Sequence, residues 1–360
     1  MRRAGALLVS ALLALAVSGC ATVSYYWQAA MGQFDVGRLA RPIDEVLSDT
    51  ATSPDLRRRL EYAMRVRDFA SRELGLPDNR SYRRYADLKR PYVVWNVFAA
   101  PELSLKLRSE CFPVAGCVVY RGYFDPQDAE RHAAELRAAG LDVYVGGVPA
   151  YSTLGWFADP LLNTFIRYPD LEIARLVFHE LAHQVAYVKD DSTFNESFAV
   201  AVEEEGLRRW VAGNASASEK QRFEAFRARR RELVALLQST RRQLRAAYDG
   251  GPDDDARRAA KRAVLSATVA AYERLKAGWG LTPAETRAYD DWVLKDLNNA
   301  KLGSIATYTE RVAQFSALLR GAGGDMSEFF SQVKTLAARP KAEREMRLDA
   351  LAPVFERSGS

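Results

Sequence analysis

Histidine and cysteine are the scarcest chemically informative residues of this 360-residue chain, with three of each. So few histidines leave few ways to assemble a metal or acid–base site, and their spacing therefore carries unusual weight. Three cysteines exclude a disulfide-dense miniature scaffold. An excess of one charge is also lacking. Lys and Arg number 51 against 46 Asp and Glu, spread evenly, without the concentrated basic patch that nucleic-acid binding requires. Ordinary counts of Gly (22) and Pro (14) exclude collagen-like and low-complexity classes. Beyond the first 20 residues no run approaches the ~18 apolar residues of a membrane-crossing helix. About half the residues are apolar, enough for a sizeable core.

The N-terminus reads as an address. Arg2 and Arg3 precede an uncharged apolar run from Gly5 to Val17, too short to span a bilayer but suited to a secretory signal. The run ends in Val17-Ser18-Gly19-Cys20, which resembles the lipobox of bacterial lipoproteins, where the cysteine is acylated and becomes the first mature residue. Residues 1–20 are thus expected to be removed, leaving 49 basic against 46 acidic residues. Several acyl chains at Cys20 would tether the body to a membrane. Ala21, where an Asp would favour retention, points to the outer membrane of a bacterial envelope, with the protein facing the periplasm. An oxidising compartment then permits a disulfide between Cys111 and Cys117 across a short turn containing Pro113 and Gly116.

The rest divides into three segments. Residues 21–90 read as mostly helical, with an aromatic-rich start packed on the body and two helices over 42–75. Residues 91–213 mix strands and helices. Tyr92–Phe98, Val118–Phe124 and Leu141–Val145 have strand character, the last stopping at Gly146 and Gly147. A helix fills 126–139. Val148–Phe157 reads as an extended edge strand because of Pro149, and helices are expected over 169–188 and 195–210. Residues 214–360 are helical throughout. A hairpin spans 218–248 and 254–277, with Arg227–Arg231 as its solvated face, and further helices occupy 283–320 and 326–358.

The chemistry concentrates in Leu176-Val-Phe-His179-Glu180-Leu-Ala-His183. Histidines at i and i+4 share one helix face and can reach one Zn²⁺, and Glu180 can take a proton from a metal-activated water. A catalytic zinc needs a third ligand. The remaining histidine, His132, lies in a charged helix, so a carboxylate is expected. Glu196 opens the next helix 13 residues after His183 and is the first candidate, with Glu203, two turns on, as the alternative. An oxyanion donor must come from a residue other than histidine. Tyr308, in a helix with small neighbours, is the first candidate, and Tyr151 and Tyr187 are the others.

The Asn195-Glu-Ser-Phe-Ala199 run resembles the second metal motif of the gluzincin metallopeptidases, whose third ligand is this Glu. Further stretches extend the likeness: Met31–Asp35, Pro91–Pro101, Gly147–Phe157, His179–Ala199, Leu297–Ala300 and Ala306–Tyr308. Together they resemble the bacterial family labelled predicted aminopeptidases, lipoprotein-like zinc peptidases. The resemblance implies an α+β, zincin-like core with an edge strand and an active-site helix, one zinc ion and a peptide substrate. The chain lacks the Gly-x-Met-Glu-Asn segment by which gluzincin aminopeptidases hold a substrate α-amine. Two other uses therefore stand beside the aminopeptidase: an envelope endopeptidase acting on proteins or peptidoglycan-linked peptides, and a metal-stabilised lipoprotein that binds a partner through its helical half.

Overall fold

The structure, a computed structural model, describes residues 23–112 and 116–351. Cys20 and the signal segment lie outside the described residues. In chain order the elements are a helix over 23–39 (α1), β1 (Arg41–Pro42), α2 (Ile43–Ser48), α3 (Pro54–Leu74), β2 (Arg84–Ala86), β3 (Val94–Pro101), β4 (Glu110–Phe112), β5 (Gly116–Val118) and β6 (Arg121–Tyr123). Then come α4 (Pro126–Ala138), β7 (Leu141–Val148), β8 (Leu161–Leu162), α5 (Asn163–Ile166), α6 (Asp170–Ala182) and α7 (Ser192–Asn214). The remainder is helical: α8 (Ala217–Gly250), α9 (Asp254–Ala277), α10 (Pro283–Val293), α11 (Asn299–Thr309), α12 (Val312–Gly321), α13 (Met326–Ala337) and α14 (Lys341–Ala350). The architecture is mixed α+β, with helices around small sheets.

The main sheet has the order β6-β3-β7, antiparallel throughout, so β7 is an edge. Three strand expectations change. The glycine pair does not end β7, because Gly146 and Gly147 stay paired with Asn96 and Trp95. Glycine is required at 147 because the Tyr92 ring lies where a Cβ would sit, 2.3 Å from its nearest atom. Val118–Phe124 is two short strands, β5 and β6, with Tyr120 in the bend between them. Val148–Phe157 is not a strand beyond Val148. It turns back as a loop pinned by the buried Asp159, whose carboxylate accepts from Thr153 N (3.1 Å) and Thr153 Oγ1 (2.7 Å). The exposed edge of this sheet is therefore β7 itself.

The β4–β5 hairpin is closed by a disulfide between Cys111 and Cys117. The largest apolar core joins α3, α6 and α7 to the C-terminal helices through Phe178, Phe194, Phe198, Phe315, Phe329 and Val333. The α8–α9 hairpin shares a second cluster with α10 and α11, built on Leu237, Leu244, Tyr272, Val293 and Leu302. α6 ends at Ala182 rather than near 188, which leaves a connection of eight residues after His183 before α7 begins at Ser192.

Candidate metal centre

α6 is almost wholly buried: Ile173, Ala174, Leu176, Val177, Phe178, Leu181 and Ala182 are all at 6 % exposure or less. Its last turn carries His179, and His183 caps its C-terminus. That end of a helix favours positive charge, because unsatisfied carbonyls accumulate there. α7 crosses close to α6 at Gly206, where a Cβ would meet the Phe178 ring at 2.6 Å.

The connection between the two helices is tied in place. Asn195 accepts from Val188 N (2.7 Å) and donates to Val188 O (2.8 Å), closing the loop on itself. Asp191 caps α7 by accepting from Phe194 N. The same carboxylate is held from the far C-terminus by buried Arg344 of α14, at 3.0 and 2.7 Å. Asp190, with φ +67°, accepts from Cys117 N and links the loop to the disulfide hairpin. This scaffold aims Glu196, in the first turns of α7, at the two histidines.

His179 Nε2 lies 3.2 Å from Glu196 Oε2 and 3.3 Å from His183 Nε2, and His183 Nε2 lies 3.5 Å from Glu196 Oε2. Donors held tetrahedrally at ~2.0–2.1 Å from one zinc ion stand about 3.3–3.4 Å apart. The three donor atoms thus already form one face of such a tetrahedron, and the buried His179–His183–Glu196 cluster is competent to hold a metal ion. Its electrostatics agree. Around the two imidazoles stand the carboxylates of Glu180, Glu196 and Glu203, the last held by the guanidiniums of Arg175 and Arg230. Burial opposes charge on His179, but Glu196 and Glu203 outweigh it and hold the imidazole up to about 10. Burial also opposes charge on Glu196, yet the two histidines bring its carboxyl down to about 2. The centre is built around positive charge.

Glu203 is not beside the ligand atoms but behind them. It is fully buried and lies 3.0 Å from His179 Nδ1, on the opposite edge of the ring from the Nε2 that faces Glu196. Two arginines hold Glu203 in turn: Arg175 of α6 and Arg230 of α8, each at 3.0 Å. The desolvation cost of Glu203 is met by these partners, and its carboxyl stays far below the ordinary range. Arg230 therefore does more than face solvent, as the Arg227–Arg231 run had implied. Both arginines lie more than 25 residues from Glu203 in sequence, and no local pattern announces them. His183 has no such brace, because its buried Nδ1 has no hydrogen-bond partner.

Glu180 is buried, and burial raises its carboxyl against the lowering effect of both histidines. The structure brings Tyr308 to the centre. Its ring stacks on that of His179, with centroids 6.2 Å apart and planes 29° apart, and burial with nearby Glu196 raises its phenol far above the ordinary value. Tyr151 is placed elsewhere: its phenol donates to Gln33 of α1 and its ring packs edge-on against Phe124. Tyr187 sits half-buried on the connection, its phenol raised by burial and by Glu196 and Asp190. Tyr120 was missed. It packs on Phe98, and after burial the charges that raise its phenol most are Glu196 and, further down, Glu180. The bend that carries it read as uninterrupted strand. His132 is half-buried rather than exposed, against Tyr123 and Glu135 on α4. A cavity of about 420 Å³ opens on the other side of Tyr308, between the β7 edge at Gly146–Val148 and Arg175, Arg230 and Trp292.

Fold and site together define an α+β protein with a buried His-His-Glu centre competent for metal and a carboxylate beside it. The chain belongs to the family described as "Putative aminopeptidase", whose match runs over residues 24–348, a description consistent with a peptidase. No curated protein and no solved structure matches it.

Proposed function

We propose that the protein is a zinc-dependent aminopeptidase tethered in the bacterial cell envelope, on a zincin-like arrangement of edge strand and metal helix. The observation that carries this reading is the triangle of His179 Nε2, His183 Nε2 and Glu196 Oε2 at 3.2–3.5 Å, with Glu180 buried next to it. Zinc, when bound, supplies Lewis acidity toward the scissile carbonyl and a readily deprotonated water. Glu180 takes the water's proton and returns it to the leaving amine, a task suited by its raised carboxyl. Glu203 fixes His179 in the tautomer that offers Nε2. Tyr308, with Tyr120 as the second candidate, donates its phenol proton to the developing oxyanion. The open side of β7 offers backbone donors and acceptors to an extended peptide, and the adjoining cavity receives a side chain. The tether follows from the lipobox at Val17–Cys20.

The test is cleavage-site profiling of a mixed peptide library by mass spectrometry, with zinc-loaded wild type and Glu180→Gln in parallel. Release of single residues from free N-termini by the wild type alone is the expected outcome. Internal cuts would replace the aminopeptidase reading with the endopeptidase. Equal cleavage by the zinc-loaded variant would refute the mechanism.

A further inference from the structure

α1 is amphipathic in the wrong direction for a helix bathed in water. Its two glutamines face the protein. Gln28 donates to Gly122 O (3.4 Å) and accepts from Phe124 N (3.0 Å), and Gln33 accepts from the Tyr151 phenol. Val36 and Tyr25 pack inward, but its other large apolar side chains face outward. Val23 is 69 % exposed, Trp27 68 % and Phe34 62 %, with Tyr26 and Met31 also exposed. Positions 23, 26, 27, 31 and 34 fall on one side of a helix with 3.6 residues per turn. They make up half of the ten exposed large hydrophobic side chains among the described residues. Two more, Trp156 and Phe157, lie on the loop that begins near Tyr151, the residue bonded to α1. Such a face is what marks an interaction surface rather than scattered exposure.

Two observations identify the occupant. The described part of the helix begins three residues after Cys20, so acyl chains on that cysteine would hold the bilayer surface within about 11 Å of Val23. Also, the face carries no net charge of its own, since the helix's only ionic side chains, the exposed Asp35 and Arg38, pair with each other at 3.2 Å. A partner protein would be expected to present a matching polar rim, whereas a lipid interface asks only for apolar and aromatic side chains with polar tips. No described helix is long and apolar enough to cross a membrane.

We propose that the outward face of α1 lies in the headgroup–acyl boundary of the membrane that carries the lipid anchor, and that this contact fixes how the catalytic body is oriented on that membrane. The proposal rests on the tethered reading for the nearness of lipid. The experiment reconstitutes the full lipidated protein into phosphatidylethanolamine/phosphatidylglycerol vesicles whose acyl chains carry bromine, and reads tryptophan emission from wild type, Trp27→Phe, and Trp27→Phe combined with Phe34→Trp. Bromine quenching should fall markedly in the first variant and return in the second. Equal quenching in wild type and Trp27→Phe, or cross-linking of two chains through position 27, would overturn the proposal, the latter by making a second copy the occupant. The mass of the N-terminal peptide reports separately whether Cys20 is acylated. An acylated Cys20 with unquenched Trp27 overturns the docking alone, and a bare Cys20 with quenched Trp27 overturns the anchor alone.

Discussion

Two helix pairs of the molecule, α6–α7 and α8–α9, are both rich in charge and use it in opposite ways. On α8–α9 many ion pairs are local and wet: Arg227–Glu224, Arg257–Asp254 and Arg258–Asp255 are all three residues apart, with side chains 31–95 % exposed, although Lys261 of α9 also reaches the half-buried Asp142 of β7 at 2.7 Å. Such pairs contribute little to stability. On α6–α7 the charges converge from distant parts of the chain onto Glu203, which is fully buried, and through it onto His179. Burial of that kind is costly unless every partner is present. The difference teaches that charge marks function here where it is buried and mutually dependent, not where it is dense. Arg230 belongs to both worlds, since it sits on the hairpin yet reaches the centre.

The comparison can be broken or sharpened by substitution. The largest effect is expected at the ligands. His183→Ala should lose metal and activity together, by more than the ~10–100-fold that removing an outer partner costs, as metal analysis and turnover would show. Glu203→Ala comes next. It leaves Arg175 without its buried partner and should cost about 3–5 kcal/mol in denaturant unfolding, with weaker metal retention on competition with a chelator. Arg230→Ala should cost about 1 kcal/mol by the same unfolding measurement, because the arginine is itself part-exposed. Arg227→Ala, its neighbour on the hairpin, should stay within about 0.5 kcal/mol of wild type. If Arg230→Ala proved as silent as Arg227→Ala, the hairpin would have no electrostatic hold on the metal centre.

What could be read in advance follows the range of the interactions. The helical spacing of His179 and His183 and the short step to Glu196 are local, and the sequence pattern places all three. The helices α3, α4, α7, α8 and α9 and the start of α6 follow from local sequence signals. Interactions over long separations were opaque. Arg344 braces the cap of α7 from 153 residues away, and Arg175 and Arg230 reach Glu203 across 28 and 27 residues. The sheet misled for a steric reason. A glycine pair normally punctuates a strand, but Gly147 stays in β7 because the Tyr92 ring occupies the space a side chain would need. Val148–Phe157 has strand-like composition, yet Asp159 closes it into a loop. The outward apolar face of α1 was visible only as an aromatic-rich stretch, because which side of it meets the body depends on Gln28 and Gln33 finding partners far along the chain.

The most direct test of the central claim is metal content set against activity in Glu180→Gln. The account predicts one zinc per chain in both wild type and variant after loading and gel filtration, with peptide hydrolysis reduced by about 10²-fold or more in the variant alone. A wild-type chain that retains no metal, or a zinc-loaded Glu180→Gln chain as active as wild type, would contradict it.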